Sequence, residues 1–186
     1  MTVEKDVVAT VAGLMALAAR TAPKAKGQDE ILLHLLTETQ KKKLIKAMQE
    51  SGTKNHLGFF LRDAKNIEDC DACLLIGVRG RVPVGLDCGA CGYLACAAFT
   101  KAARAAQKKT RATTLAGPNC VVRMADIGIA LGSAVKTAQI HNVDNRIMYS
   151  VGSAAMNLGF LGKDCTVAYA IPLSVTGKNI FFDRKA

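Results

Sequence analysis

Apolar residues recur along most of this chain at the three- and four-residue spacing of amphipathic helices, which predicts a helix-rich protein. An apolar helix is expected over residues 3–19, ending in an Arg-Thr-Ala-Pro sequence, because proline lacks the amide that would continue it. An amphipathic helix is expected over residues 37–50, with Thr37 or Thr39 as its N-cap and Ser51-Gly52 at its end. Further helices are expected over about 97–115, 123–140 and 145–160.

Two shorter apolar runs have the length and composition of strands. Residues 73–78 read Cys-Leu-Leu-Ile-Gly-Val, which is typical of a buried strand, and a second strand is expected over residues 166–171. The sequence contains no tandem repeat and no low-complexity linker. It therefore predicts a single α+β domain over residues 1–186, helix-rich with a small sheet.

A dense group of cysteines and glycines separates the first predicted strand from the next helix. Cys88, Cys91 and Cys96 form the pattern C-x2-C-x4-C, and Gly89 and Gly92 follow the first two cysteines directly. Two residues between cysteines allow one tight turn to direct both sulfurs inward, and glycine adopts the positive φ angles that such a turn requires. This spacing is typical of a metal-binding loop.

A fourth cysteine, Cys120, follows the next predicted helix, and four thiolates are the ligands that an iron-sulfur cluster requires. We therefore predict a four-iron (4Fe-4S) cluster on Cys88, Cys91, Cys96 and Cys120, within a cluster-binding segment at about residues 70–122. The helix that starts near Cys96 would direct its positive N-terminal dipole at the anionic cluster. It carries basic residues at Lys101, Arg104, Lys108, Lys109 and Arg111.

The run from Cys88 to Phe99 resembles the short four-cysteine iron-sulfur module of electron-transfer subunits and corrinoid iron-sulfur proteins of anaerobes. In that module the fourth cysteine follows a helix, as Cys120 is expected to do, although the gap from Cys96 is longer here. The resemblance implies one-electron transfer in anaerobic metabolism.

More broadly, nearly the whole chain resembles the uncharacterised ferredoxin-domain proteins of anaerobic bacteria and archaea. This resemblance implies a cluster but names no reaction. It rests on the cysteine loop and on residues 18–24, 143–146, 171–174 and 177–184.

A zinc site, which would make the protein a zinc-stabilised binding module, is an alternative use of the cysteines. The pattern C-x2-C-x14-C-x2-C, close to the spacing of a zinc ribbon, is formed by Cys70, Cys73, Cys88 and Cys91. Against it, Cys73 opens a strand in which residues three apart point to opposite faces, and Cys96 is left without a role. A redox role for Cys70 and Cys73 stays open, whereas Cys165 is interpreted as a buried small apolar residue.

A flavin-dependent reductase with an accessory cluster is a second alternative. Residues 124–135, 152–162 and 170–172 loosely resemble the long packed helices and strand of nitroreductase-type flavoproteins. That resemblance implies FMN as a cofactor, with Arg20 as the residue that would hold its phosphate through a forked contact. We expect no flavin, because three tyrosines and no tryptophan offer little to cover its ring.

The net charge of +10 indicates an acidic partner. Only 5% of the residues are aromatic, and the basic residues are scattered among predicted helices, which argues against nucleic acid. We expect an acidic redox protein as the partner.

No apolar run reaches the roughly 18 residues of a membrane span and no signal peptide is visible, so a cytoplasmic protein is expected. The sequence leaves the oligomeric state open, a homo-oligomer included.

Overall fold

A four-stranded antiparallel sheet forms the centre of the computed structural model, which describes residues 3–107 and 114–182. Its strands follow the order β1-β2-β4-β3. They are β1 (Ile31–Leu35), β2 (Ala72–Val78), β3 (Asp144–Asn145) and β4 (Val167–Ser174). The central strand β2 is buried from Cys73 to Val78, which confirms the strand predicted from that apolar run.

The described residues form six α-helices: α1 (Val3–Thr21), α2 (Glu38–Lys54), α3 (Gly58–Asp69), α4 (Cys96–Gln107), α5 (Val121–Ile140) and α6 (Tyr149–Asn157). Helices α1 and α5 pack on one face of the sheet, and α2, α3 and α6 pack on the other. Alternate side chains of β2 serve the two cores, with Leu74 and Ile76 on the α1/α5 face and Cys73 and Leu75 on the opposite face. The prediction of a helix-rich α+β domain with a small sheet is confirmed.

The prediction from the sequence omits two elements, β1 and α3. Helix α3 has no capping side chain at Leu57, and its few buried residues lie in an otherwise polar segment. The sequence of this segment therefore looks like a polar loop between two elements. Strand β1 contains His34, which shares a hydrogen bond with the Gln40 side chain at 2.9 Å. His34 lies opposite Leu75 of β2, in a strand at the sheet edge.

Helix boundaries differ from the prediction where tertiary contacts decide them. The Thr37 N-cap of α2 is confirmed by a reciprocal capping box with Gln40. The helix nevertheless runs past Gly52, which is buried, and a Cβ there would come 2.8 Å from the Leu61 side chain. Gly52 thus permits close helix packing and does not end α2. Helix α6 is shorter than predicted, because residues 144–145 pair with β4 instead.

The end of the helix predicted over 97–115, with Lys108, Lys109 and Arg111, lies outside the described residues, as do Asp183 and Arg184. Within the described part of the chain, none of the helices is long and apolar enough to cross a membrane.

Helix α6 lies unusually close to β4 at Gly152. A Cβ at this position would come 2.3 Å from the carbonyl oxygen of Ala168 and 2.4 Å from the Cα of Tyr169. Both are backbone atoms, so no side-chain rotation relieves the overlap. The small residues of this segment therefore serve close packing of α6 on the sheet.

We expect Gly152→Ala to destabilise the fold by at least about 2 kcal/mol, because the added methyl group overlaps fixed backbone atoms. Gly132→Ala is the matched control: Gly132 lies exposed in α5, and a methyl group added there would meet nothing within 4 Å, so the change should gain about 0.5–1 kcal/mol of helix propensity. Urea denaturation of both variants measures the difference. Equal stability of the two variants would contradict the close approach.

Candidate metal centre

The loop between β2 and α4 is shaped by left-handed turns. Positive φ angles occur at Gly85, Asp87, Gly89 and Gly92. The amide of Gly92 donates to the carbonyl of Gly89 at 2.9 Å, which closes a turn around Cys91. The expectation that Gly89 and Gly92 adopt positive φ is confirmed, and Cys88 directly precedes this turn while Cys91 lies within it.

The end of this loop is fixed to the start of α4. Cys96 is the first residue of α4, and its amide donates to the Asp87 carboxylate at 2.6 Å. Tyr93 stands edge-on to Phe99, with their ring centroids 5.9 Å apart, and Phe99 is buried. The helix N-terminus and one aromatic contact therefore determine where the third cysteine of the loop lies.

Cys120 reaches the same place from a different part of the chain. It is the N-cap residue of α5, and its amide donates to the carbonyl of Gly80 at 2.7 Å, just after β2. The next amide, that of Val121, donates to the sulfur of Cys91 at 3.2 Å. Cys120 thus lies beside the cysteine loop although 23 residues separate it from Cys96 in the sequence.

All four predicted ligands line one small cavity. Its volume is about 20 Å³, and its walls include Cys88, Cys91, Cys96 and Cys120 with the apolar residues Val84, Leu86 and Val122. Cys88 is exposed, Cys91 and Cys96 are half-buried and Cys120 is buried. No three His, Cys, Asp or Glu side chains among the described residues form a group that could hold a single metal ion.

The donor set around the cavity fits a four-iron cluster. In such a cluster each of four thiolates binds its own iron, so the ligands surround a volume and do not converge on one atom. Apolar walls and amides that donate to sulfur, such as that of Val121 to Cys91, are surroundings that tune clusters of this kind.

The neighbouring thiols of Cys91 and Cys120 differ in the direction of their pKa shifts. Burial raises the pKa of Cys91, and the neighbouring thiols raise it further. Burial acts the same way on Cys120, but nearby backbone amides more than offset it and hold the pKa of Cys120 below its usual value. Those amides belong to Arg123, Val84 and Val122. These amides therefore favour the thiolate of Cys120, which is the form that binds metals.

A buried arginine braces the site, and it was not among the residues predicted from the sequence. The side chain of Arg123, in the first turn of α5, is fully buried. Its guanidinium donates to the carbonyls of Val82 at 3.0 Å and Gln28 at 2.9 Å, to the Gln28 side chain at 2.8 Å and to the Asp126 carboxylate at 3.1 Å. Asp126 in turn accepts from the amide of Ala25 at 3.0 Å. The only sequence signal was an Arg-Asp pair three residues apart in an apolar helix.

The other three cysteines lie on the α2/α3/α6 face of the sheet. Cys70, Cys73 and Cys165 are buried in the apolar core there, which confirms the interpretation of Cys165. Burial raises the pKa of Cys70 to about 11 and that of Cys73 well above the usual value. The zinc-ribbon grouping needs both pairs in one place, whereas the structure puts Cys70 and Cys73 in this core and Cys88 and Cys91 at the cavity.

Arg20 lies in the last turn of α1, and its side chain is bonded to other residues of the chain. Its Nη1 donates to the Asp29 carboxylate at 2.5 Å and to the carbonyl of Ile31 at 2.8 Å. Burial alone would raise the pKa of Asp29, but the hydrogen bonds from Arg20 and the Ile31 amide, with the charges of Arg20 and Lys24, together outweigh it and lower the pKa. Arg20 therefore links α1 to the start of β1, and a contact with a flavin phosphate stays a prediction.

The fold is similar to that of nitroreductases. Nitroreductase A from Vibrio parahaemolyticus matches 91% of this chain and 59% of its own, with a TM-score of 0.52 and 10% identity. The NADPH:FMN oxidoreductase from Vibrio harveyi, complexed with NAD+, matches 96% and 62%, with a TM-score of 0.52 and 11% identity. A nitroreductase-like family protein from Bacillus cereus matches 95% and 78%, with a TM-score of 0.55 and 13% identity. The chain thus spans about three fifths of the length of the two Vibrio enzymes.

Sequence comparison identifies the family. A protein from Archaeoglobus fulgidus, described as uncharacterised, is 42% identical over 174 residues, which cover 92% of this chain and 88% of that protein. The family model of uncharacterised proteins containing a ferredoxin domain (DUF2148) matches residues 116–184, a range that includes Cys120 and starts after the cysteine loop. The chain belongs to this ferredoxin-domain family, and its fold is nitroreductase-like.

We expect Arg123→Met to destabilise the protein by about 3 kcal/mol, because it leaves buried carbonyls and the Asp126 carboxylate without their donor. Lys136→Met, an exposed change on the same helix, should stay within about 0.5 kcal/mol of the wild type. Thermal and urea denaturation compare the three proteins. A stable Arg123→Met variant would show that Arg123 does not brace the site.

Proposed function

We propose that this protein is an iron-sulfur electron-transfer protein that holds a four-iron cluster on Cys88, Cys91, Cys96 and Cys120. The observation that carries the proposal is that these four thiols, from a loop and from the start of a distant helix, line one cavity. The ferredoxin domain in the family description supports electron transfer as the general role. Following the cysteine-module resemblance, we place this role in anaerobic metabolism.

The chain's own residues would supply both ligands and surroundings. Asp87 holds the start of α4 so that Cys96 faces the cavity, and the Val121 amide already donates to the Cys91 sulfur. Val84 and Val122 keep water from the inner side of the cavity. A bound cluster supplies a one-electron redox centre, whose potential responds to such amide donors and to solvent exposure.

The cavity must widen to accept a cluster, since its volume of about 20 Å³ is that of little more than one water molecule. The inner ligand, Cys120, is fixed by α5 and by the hydrogen bond that its amide donates to the carbonyl of Gly80. Cys88 is exposed at the outer side, in the loop of left-handed turns. We therefore propose that the Cys88 side of the loop moves outward on cluster binding.

An acidic redox protein is the proposed partner. Helix α4, which begins at Cys96, carries Lys101 and Arg104 on its exposed surface, and Leu94 in the adjoining loop is 96% exposed. An apolar contact beside positive charges suits brief docking of an acidic carrier near the exposed Cys88.

Anaerobically purified protein should contain about four irons and four sulfides per chain, the content of a cluster with four cysteine ligands. Replacing Cys88, Cys91, Cys96 or Cys120 by serine should each remove most of the iron, because a cluster with an empty position is readily lost. Iron and sulfide analysis with the visible absorption spectrum measures the effect.

Cys165→Ser is the matched control, because Cys165 is buried on the opposite face of the sheet. It should keep the iron content of the wild type. Iron loss in Cys165→Ser equal to that of the four ligand variants, or stoichiometric zinc without sulfide in the wild type, would contradict the proposal.

A flavin-dependent reductase with an accessory cluster is the second candidate, favoured by the nitroreductase-like fold. The sample used for iron analysis decides between the two when it is denatured and its released cofactors are measured. One FMN per chain, retained less well by Arg20→Ala, would favour the reductase. We expect no flavin, because Arg20 is already paired with Asp29.

Electron exchange with an acidic carrier such as a flavodoxin should slow as salt rises, because exposed charges are screened over ~10 Å at 0.1 M ionic strength. Lys101→Glu should lower the rate at low salt and flatten the salt dependence. Stopped-flow kinetics at several ionic strengths measure both effects. A salt-independent rate in the wild type would contradict electrostatic docking.

A further inference from the structure

A large cavity lies outside the metal centre. It is a cleft of about 410 Å³ between the segment after β2 and the outer side of α4. Small-molecule sites in proteins generally have volumes of about 300–1,000 Å³, so the cleft is large enough for a ligand of the size of a short polyanion or a nucleotide.

Positive charge dominates the lining of this cleft. Three arginines, Arg79, Arg81 and Arg104, face a single carboxylate, Asp164. One of the three is partly neutralised, because Arg79 pairs with Glu30 at 3.3 Å. Guanidinium groups present several donors in a planar fork that matches the oxygens of phosphate and carboxylate groups. The cleft therefore favours an anion.

Two of the arginines retain bonding capacity. The Nε of Arg81 is buried without a hydrogen-bond partner in the described part of the chain, although its Nη2 donates to the carbonyl of Gly117 at 3.0 Å. A buried N–H without a partner costs free energy, which a bound acceptor would recover. Arg104 is exposed at the cleft, where the side chains of Thr100 and Gln107 add neutral polar groups.

The cleft and the candidate metal centre adjoin the same helix, α4. The hydroxyl of Thr100, which lines the cleft, donates to the carbonyl of Cys96 at 2.9 Å. Arg81 contacts Gly117, three residues before Cys120. One turn of α4, about 6 Å along the helix axis, thus separates a cleft residue from a predicted cluster ligand.

We propose that this cleft is a binding site for a small molecule that carries phosphate or carboxylate groups. Its ligand binds between Arg81 and Arg104 and lies one helical turn from the metal centre. Under the proposed function, that position brings a small-molecule redox substrate next to the cluster. Anion binding itself needs only the residues of the cleft and so does not depend on the cluster.

Isothermal titration calorimetry at fixed ionic strength tests the site with pyrophosphate and with citrate. We expect one of them to bind with a stoichiometry of one per chain, and the tighter of the two identifies the ligand as a phosphate or a carboxylate compound. Arg104→Ala should weaken that binding by about tenfold or more, the usual loss for a charged hydrogen-bonding group. Arg81→Lys should weaken it as well, because lysine keeps the charge and loses the fork.

Lys101→Ala is the matched control. Lys101 lies exposed on the same helix but does not line the cleft, so its removal changes the net charge equally. It should leave the dissociation constant within about twofold of the wild type. Equal weakening by Lys101→Ala and Arg104→Ala, or no binding of either probe at millimolar concentration, would overturn the proposal. The same titration on protein without iron measures anion binding independently of the cluster. Failure of this proposal can therefore be distinguished from failure of the cluster proposal.

Discussion

The hydrogen bonds of the Arg123 guanidinium are the interaction on which the metal-centre region depends. A buried charge is tolerated only when it is fully paired, and the partners of Arg123 come from three separate segments. These are the chain after β2, the segment between α1 and β1, and α5 itself. When all the hydrogen bonds of the Arg123 guanidinium are formed, they fix the start of α5 relative to the end of β2. Cys120 and the cysteine loop are placed by that same contact.

The metal centre rests on a smaller core than the rest of the molecule. Two large apolar clusters fill the two faces of the sheet, whereas the loop and α4 share a small cluster of Val84, Phe99, Ala103 and Cys120. Fewer buried apolar contacts mean lower local stability, so this region opens more readily than the sheet. Ligation of a metal by four side chains would add stability where the apolar core supplies least.

Local features of the site could be predicted from the sequence, and long-range ones could not. The spacing of Cys88, Cys91 and Cys96, with glycines at the required turns, is contained in nine residues and was sufficient to locate the loop. The role of Arg123 could not be predicted, because its partners Val82 and Gln28 lie 41 and 95 residues away. The same reason applies to β1: its residues Ile-Leu-Leu-His-Leu form a short apolar run that suits a helix or a strand, and pairing with β2 decides for the strand.

Two helix N-termini meet at the cysteine cavity, and this arrangement bears on its chemistry. Cys96 is the first residue of α4 and Cys120 is the N-cap of α5, so both helix dipoles direct their positive ends toward the thiols. The lowered pKa of Cys120 is one consequence, since the first amides of α5 favour its thiolate. The same fields would favour the more negatively charged state of any redox centre bound there. In the proposed cluster that is the reduced state, so the two helices would raise its reduction potential relative to the same four ligands in water.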